Sequence, residues 1–94
     1  MRKLLEVSIP ISFLREDDKY IAYTPALDLS TYGSTEDEAK RRFSEAVEIL
    51  FNELDEKGTL HEVLTGLGWK RIDKSWQPPT VKTELESIKV PAAT

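Results

Sequence analysis

Apolar and polar side chains alternate strictly over residues 5–13, with an apolar residue at every odd position. This period of two predicts a β-strand that buries one face against a core. Pro10 cannot donate a ladder hydrogen bond, so we expect the strand to be bulged or unpaired at that point. Residues 15–19 are charged and predict a turn into a second strand at residues 20–23, because so short a connection favours a hairpin.

A third strand is predicted at residues 27–32. Pro25 separates it from the second strand, because proline fixes its own φ and restricts the residue before it. Gly33 then permits a turn conformation. Thr35 and Glu38 form a capping box, in which the threonine oxygen accepts from a helix amide and the glutamate reaches back. This signature predicts the start of the main helix.

The main helix is indicated by apolar residues that recur at spacings of three and four and end before Gly58. They form one stripe, which we expect to pack on one face of the sheet. The predicted core consists of Phe43, Val47, Leu50 and Leu54 from the helix and Leu5, Val7, Ile9, Ile11 and Phe13 from the first strand.

The remainder of the chain predicts a second helix, a fourth strand and a tail. Thr59 and Glu62 form another capping box, and Gly68 closes the short helix that follows. Residues 69–76 predict a strand, and its return after a helix favours parallel pairing through a right-handed crossover. Residues 80–94 form a tail, which we expect to pair as an edge strand or to act as an arm that contacts a neighbouring chain.

These elements predict one α+β domain over residues 1–79 with the order βββααβ. A three-stranded antiparallel meander carries the main helix on one face, and the other face is left to solvent or to a second copy. A chain of 94 residues has only a small core, so we expect a homodimer or a higher oligomer.

The composition of the chain excludes several kinds of site and several classes of protein. It has no cysteine, which excludes disulfides and thiolate metal sites. Its first residues do not match a signal peptide, and no stretch approaches the roughly 20 apolar residues of a membrane span, so we expect a cytoplasmic protein. A net charge of −4 argues against a dedicated nucleic-acid binder and is compatible with a basic protein partner.

No catalytic, metal or cofactor site is predicted. His61 is the single histidine, and a metal site would need several converging ligands. No nucleophile motif, phosphate loop or dinucleotide fingerprint is present. Asp28, Glu38 and Asp73 would be the carboxylates of a ribonuclease-H-like magnesium site. Capping, a proline turn and flanking basic residues account for them better than a metal site does, so we expect no enzymatic activity.

The basic and aromatic segment at residues 69–76 allows two interpretations. Trp69 and Trp76, with three basic residues between them, could stack on nucleic-acid bases. The same tryptophans could instead pack in the core or at a dimer interface, and packing is the interpretation we favour.

The surface of the main helix is the predicted partner-binding site. Residues 35–57 contain eight acidic and four basic residues, and Glu45, Glu48 and Asp55 are expected to face outward. Ile49 and Phe51 lie beside the core stripe, where they either widen the core or contact a partner. Complementary charge would attract a basic protein, and buried apolar contacts would supply most of the affinity.

Residues 20–39 resemble the HicB antitoxin family. Members carry a strand that ends near an aromatic residue, then a proline and a short strand, and then a G-x-T-x-x-E-A sequence that opens the main helix. The matching positions in this chain are Tyr23, Pro25, Asp28, Gly33, Thr35, Glu38 and Ala39. The similarity extends over roughly residues 5–55.

The resemblance implies a partial ribonuclease-H-like domain that lacks the nuclease carboxylates and blocks the active site of a small basic HicA-type messenger-RNA interferase. It also implies dimers or tetramers. Many family members add a C-terminal DNA-binding module, but the 15 residues after Pro79 are too few for one, which leaves direct DNA binding without support.

Two alternatives to this assignment remain open. The first is a solitary HicB-like protein whose partner differs or is lost. The second is a ribonuclease-H-like protein that binds nucleic acid or acts as a divergent enzyme.

Overall fold

Three antiparallel strands form one layer of the computed structural model, which describes residues 6–93. They are β1 (Ser12–Glu16), β2 (Lys19–Thr24) and β3 (Leu29–Gly33), and they lie in chain order across the sheet. Glu16 pairs with Lys19, so the first hairpin turn contains only Asp17 and Asp18. Asp17 has a φ of 54°, a left-handed conformation that aspartate tolerates better than most residues. The predicted meander is confirmed.

β1 begins later than the alternating pattern predicts. Residues 6–11 have no regular secondary structure, and the strand continues through Arg15 and Glu16, which the sequence assigned to the turn. Pro10 explains the shift, because it has no N–H for the ladder and constrains the residue before it. The alternation still governs burial, since the apolar residues between 6 and 12 are half-buried and pack on the core.

Two helices follow the sheet: α1 (Glu36–Glu56) and α2 (Leu60–Gly66). α1 begins after Thr35, as predicted. Each helix is followed within two residues by a glycine with a left-handed φ, 70° at Gly58 and 92° at Gly68. The second predicted capping box is wrong, because the Thr59 side chain makes no capping bond and donates instead to the Leu54 carbonyl oxygen at 3.4 Å. Among residues 6–93, no helix is long and apolar enough to cross a membrane.

The core lies between α1 and the sheet and continues beneath α2. Phe43 is buried beside Ala22 and Ala39, as predicted, and Ile9 and Ile11 pack against this cluster. An adjoining cluster of buried residues consists of Ala26, Leu27, Leu64 and Trp69.

The predicted core is correct only in part. Val47 and Leu50 pack on the buried clusters, and Leu54 is half-buried. Phe13 is 37% exposed, because β1 is an edge strand and leaves its side chain without a neighbour on one side. Leu5 lies outside the described residues.

The expected fourth strand is a separate β-hairpin. β4 (Lys70–Ile72) pairs antiparallel with β5 (Ser75–Gln77), and the two form a second sheet of their own. Asp73 has a φ of 55° and turns the chain together with Lys74. The predicted parallel pairing is therefore wrong, because this segment folds back on itself and does not join the meander.

Residues 78–93 contain no helix or strand, and every residue from 80 to 93 is exposed. We call residues 80–93 the C-terminal arm. The expectation of an edge strand is wrong for the chain on its own, whereas contact with a neighbouring chain stays a prediction.

Candidate functional site

The G-x-T-x-x-E-A sequence forms the junction between β3 and α1. A side chain at position 33 would put its Cβ 2.4 Å from the Ala39 backbone nitrogen, so Gly33 lets the strand approach the helix this closely. Thr35 caps the helix by accepting a hydrogen bond from the Glu38 amide at 3.0 Å. Ala39 is fully buried, and its carbonyl oxygen accepts from the Thr31 hydroxyl at 2.9 Å. These positions therefore build the fold.

Glu38 supports this junction through Arg42 and not through the second half of the capping box. Its carboxylate lies 3.0 Å from the Arg42 guanidinium. Arg42 also donates to the Tyr32 carbonyl oxygen at 2.9 Å, which links α1 to β3. Arg42 is exposed and Glu38 is half-buried, so water screens the pair and it contributes little energy, but it orients Arg42 towards the end of the sheet.

The turn between β2 and β3 is fixed by three hydrogen bonds. Thr24 is fully buried, and its hydroxyl oxygen accepts from the Ala26 amide at 3.2 Å. The Ala26 carbonyl oxygen accepts from the Trp69 indole N–H at 2.8 Å. Asp28 has a left-handed φ of 48°, and its carboxylate accepts from the Tyr23 hydroxyl at 3.1 Å. This hydrogen bond, with burial and the aspartate charge adding to it, raises the pKa of Tyr23.

The seven positions that carry the family resemblance thus act within the domain. Six of them make the hydrogen bonds and close contacts just described. Pro25 is exposed at the start of the turn. Fold requirements are sufficient to explain this pattern.

An open groove of about 900 Å³ lies between residues 6–11 and α1. Its lining is mainly apolar, and the carboxylate side chains of Glu6 and Glu48 border it. The apolar lining includes Val7, Ile9, Ile11, Phe51, Leu60 and Trp76. A concave apolar surface with a few polar groups is the usual form of a binding site.

The groove gathers three of the five side chains predicted to bind a partner. Glu48, Phe51 and Asp55 line it, whereas Glu45 and Ile49 are not among its lining residues. Successive helix residues point about 100° apart, so Ile49 faces roughly 160° away from Phe51. The predicted residues therefore lie on different sides of α1, and their partner-binding role stays a prediction.

Burial distinguishes these residues further. Phe51 is half-buried, and its ring meets the Trp69 ring edge to face with centroids 5.7 Å apart, so it widens the core. Ile49 is 58% exposed and has no such role. Asp55 is half-buried beside the groove and does not face outward as expected, whereas Glu45 and Glu48 are exposed.

The two tryptophans of the basic and aromatic segment pack on the domain. Trp69 is buried, which confirms the favoured interpretation for this residue and prevents its ring from stacking on a base. Trp76 is half-buried, with its ring 5.4 Å from the ring of His61. His61 itself is exposed, as expected for a surface histidine.

The carboxylates of the ribonuclease-H-like alternative have separate local roles. Asp28 accepts from Tyr23, and Glu38 pairs with Arg42. Asp73 forms the turn between β4 and β5. Within residues 6–93, no group of three or more histidine, cysteine, aspartate or glutamate side chains is arranged to hold a metal ion.

Sequence reasoning did not foresee that the segment after α1 contributes to the groove. Leu60 and Trp76 come from α2 and β5 and reach the groove because the chain folds back after α1. No local pattern signals this contact, although a tryptophan within a charged segment is the kind of residue that needs a packing partner.

Comparisons with protein-family models, curated proteins and solved structures find no match to this chain. The groove and the resemblance within residues 20–39 are the features from which function is inferred.

Proposed function

We propose that this domain is a non-catalytic protein-binding module of the HicB antitoxin type, and that it neutralises a small basic HicA-type messenger-RNA interferase. The observation that carries the proposal is the groove, whose apolar lining lies beside the acidic surface of α1. Apolar side chains of the partner would contact Val7 and Phe51, while its basic residues would meet the carboxylates of Glu6 and Glu48.

Charge favours a basic occupant of the groove. Residues 35–57 carry eight acidic and four basic residues, and the whole chain has a net charge of −4. None of the described side chains that line the groove is basic. Opposite charge accelerates encounter and selects partners, whereas desolvated apolar contacts supply most of the affinity. The groove offers both in one place.

A binding role also fits the polar groups of the groove. Ser44 and Asn52 are its uncharged polar side chains, and no histidine or lysine stands with Ser44 among the described lining residues. Nucleophilic catalysis by a serine depends on such a neighbouring base. Blocking a toxin requires only a complementary surface, because an antitoxin occupies the active site and does not react with it.

The direct test starts from the genes next to the one for this chain: a short basic HicA-type protein encoded there, if present, is purified as an inactivated variant and tested for binding. Calorimetric titration should show a saturable complex whose affinity falls as salt rises, since the charges are exposed and screened. Polylysine is the control for unspecific attraction and should not reproduce the saturable complex.

Two variants and one matched control locate the contact. Glu48→Lys should weaken binding about tenfold or more, equivalent to roughly 1.4 kcal/mol. Ser44→Arg should block the groove without removing a core side chain. Glu45→Lys makes the same charge change as Glu48→Lys on an exposed part of α1 outside the groove, so it should have a much smaller effect.

Three outcomes would contradict the proposal. If no basic protein binds, the domain is not an antitoxin of this type. If Glu45→Lys and Glu48→Lys weaken binding equally, only overall charge matters and the groove is not the site. If the chain binds single-stranded RNA in preference to the basic protein, the nucleic-acid alternative replaces it.

A further inference from the structure

The chain exposes far more surface than a folded monomer of its size. Its accessible surface is 7988 Å², whereas a folded monomer of 10.7 kDa ordinarily exposes about 5,500 Å². The Cα radius of gyration is 16.4 Å, compared with about 12 Å for a compact chain of this length. The excess area is roughly three times the ~800 Å² that one partner buries in a typical complex.

The C-terminal arm contributes the most exposed part of this surface. Leu85 is fully exposed, and Ile88 and Val90 are 73% and 75% exposed. At the root of the arm, Pro79 lies beside Gly68, which places the start of the arm against the body of the domain. Beyond Val81, which is 37% exposed, the large apolar side chains of the arm have little cover from their own chain.

The arm has the sequence of a β-strand that lacks a partner. Five of its residues are β-branched, the type that strands favour: Thr80, Val81, Thr83, Ile88 and Val90. In an extended chain, odd and even positions point to opposite faces. Val81 and Leu85 would therefore lie on one face, and Ile88 and Val90 on the other.

β1 is an open edge that can receive such a strand. Within residues 6–93 it pairs only with β2, and all five of its residues are exposed. It carries one apolar side chain on each face: Phe13 lies opposite the buried Ala22 and so faces α1, whereas Leu14 lies opposite Ile21 on the other face. An open edge of this kind is a template for pairing with another chain.

The other edge of the sheet is partly closed. The Tyr32 carbonyl oxygen of β3 already accepts a hydrogen bond from Arg42. The end of β3 at Gly33 is in close contact with α1. β1 is therefore the edge better suited to an added strand.

We propose that the C-terminal arm of one copy adds as a fourth strand along β1 of a second copy, and that two chains exchange arms in this way. The arm would cover Phe13 on the helix face and Leu14 on the opposite face. The β1 edge of each copy would then be paired. Exchange between copies is favoured over pairing within a chain, because the arm leaves its own domain and its apolar side chains stay exposed there.

This self-association goes beyond the proposed antitoxin function and does not depend on it. Its receiving surface is β1, and none of residues 12–16 lines the groove. Loss of dimerisation and loss of toxin binding can therefore be observed separately.

The first experiment is sedimentation equilibrium of the full chain, which should give twice the monomer mass of 10.7 kDa. Leu85→Asp combined with Ile88→Asp should raise the dimer dissociation constant at least about tenfold. Ala92→Asp combined with Ala93→Asp is the matched control, because it adds the same two negative charges to the exposed arm beyond Pro91 and should leave the dimer intact. Circular dichroism should show that all variants keep the fold.

A mixing experiment tests the exchange itself. Leu14→Asp damages the receiving edge. Leu85→Asp combined with Ile88→Asp, the arm variant, damages the arm, so each of these two proteins should be monomeric alone. A mixture of the two retains one intact arm and one intact edge, and it should form a mixed dimer. A monomeric parent chain at about 1 mM, where even weak complexes form, would overturn the proposal. So would a dimer that the arm variant leaves unchanged, or a mixture that remains monomeric.

Discussion

The turn and junction at residues 24–39 and the C-terminal arm use their side chains in opposite ways. In the first region Thr24, Gly33 and Ala39 are buried, and each makes a hydrogen bond or close contact within the domain. In the arm every side chain is exposed, and apolar residues such as Leu85 point into solvent. The side chains of the first region are committed to the fold of their own domain, whereas the second leaves its apolar side chains exposed.

The family-like sequence pattern and the exposed surfaces therefore lie in different parts of the chain. The pattern over residues 20–39 coincides with the most tightly fixed backbone, where capping and close approach restrict the choice of residue. The arm and the groove follow no comparable motif, because shape, exposure and charge determine what they can bind. The resemblance therefore points to the fold more directly than to the contact surface.

The largest effect is expected from Trp69→Ala, measured by chemical denaturation at low protein concentration. The substitution removes a buried side chain and leaves the Ala26 carbonyl oxygen without its donor. It should cost about 3–5 kcal/mol of the free energy of unfolding. Leu85→Ala removes a large apolar side chain that is exposed, and its effect should stay within about 0.5 kcal/mol.

Equal losses in these two variants would contradict the comparison, because the arm would then be part of the core. A large loss for Trp69→Ala and none for Leu85→Ala would show that the core includes Trp69 and excludes the arm.

The next effect is expected from Gly33→Ala, compared with Gly66→Ala. At Gly33 the new Cβ would lie 2.4 Å from the Ala39 backbone nitrogen, so β3 and α1 would have to separate. We expect a loss of about 1–3 kcal/mol of unfolding free energy. At Gly66, within α2, a Cβ would meet nothing within 4 Å.

Gly66→Ala should therefore be neutral or should stabilise the protein by up to about 1 kcal/mol, since alanine is the better helix former. Thermal melts of both variants test the difference. Loss of stability in both would show that close approach is not the reason for Gly33.

The features that were predictable from sequence are the ones with a local cause. The cap at Thr35 and the helix end at Gly58 each depend on neighbouring backbone groups, and both were placed correctly. The start of β1 was misplaced because the alternation was given more weight than Pro10, which cannot donate to the ladder and precedes the first paired residue, Ser12.

The contacts that sequence could not give are distant along the chain. The hydrogen bond from Trp69 to Ala26 joins residues 43 positions apart, and no short pattern encodes such a pairing. The groove likewise combines residues 6–11 with α1, α2 and β5. The helical repeat alone could have separated Ile49 from Phe51, since two positions along a helix point to nearly opposite sides.

A smaller effect is expected from Thr35→Ala. Its hydroxyl oxygen accepts from the Glu38 amide at the start of α1, and loss of such a cap typically costs about 1 kcal/mol. Ser34→Ala is the matched control, because the adjacent exposed serine is not the capping residue. Urea unfolding should distinguish them, and equal losses would show that the side-chain cap does not fix the junction.

The smallest effect concerns the exposed end of the turn, where Tyr23 donates to Asp28. This hydrogen bond raises the pKa of Tyr23 above its ordinary value of 10.0 in the folded chain. Folded tyrosine then keeps its proton at a pH where unfolded tyrosine has lost it, so the stabilisation is complete below pH 10.0 and is lost as pH rises through the folded pKa.

Asp28→Asn removes the carboxylate but tolerates the left-handed φ, and should bring the pKa of Tyr23 down towards its ordinary value. Tyrosinate absorbance is measured against pH for the parent chain and for Asp28→Asn. Subtracting the curve of the same chain with Tyr23→Phe isolates the titration of Tyr23. An unchanged midpoint in Asp28→Asn would mean that the hydrogen bond does not hold the turn in solution, and that residues 24–39 are less rigid at this end than at the junction with α1.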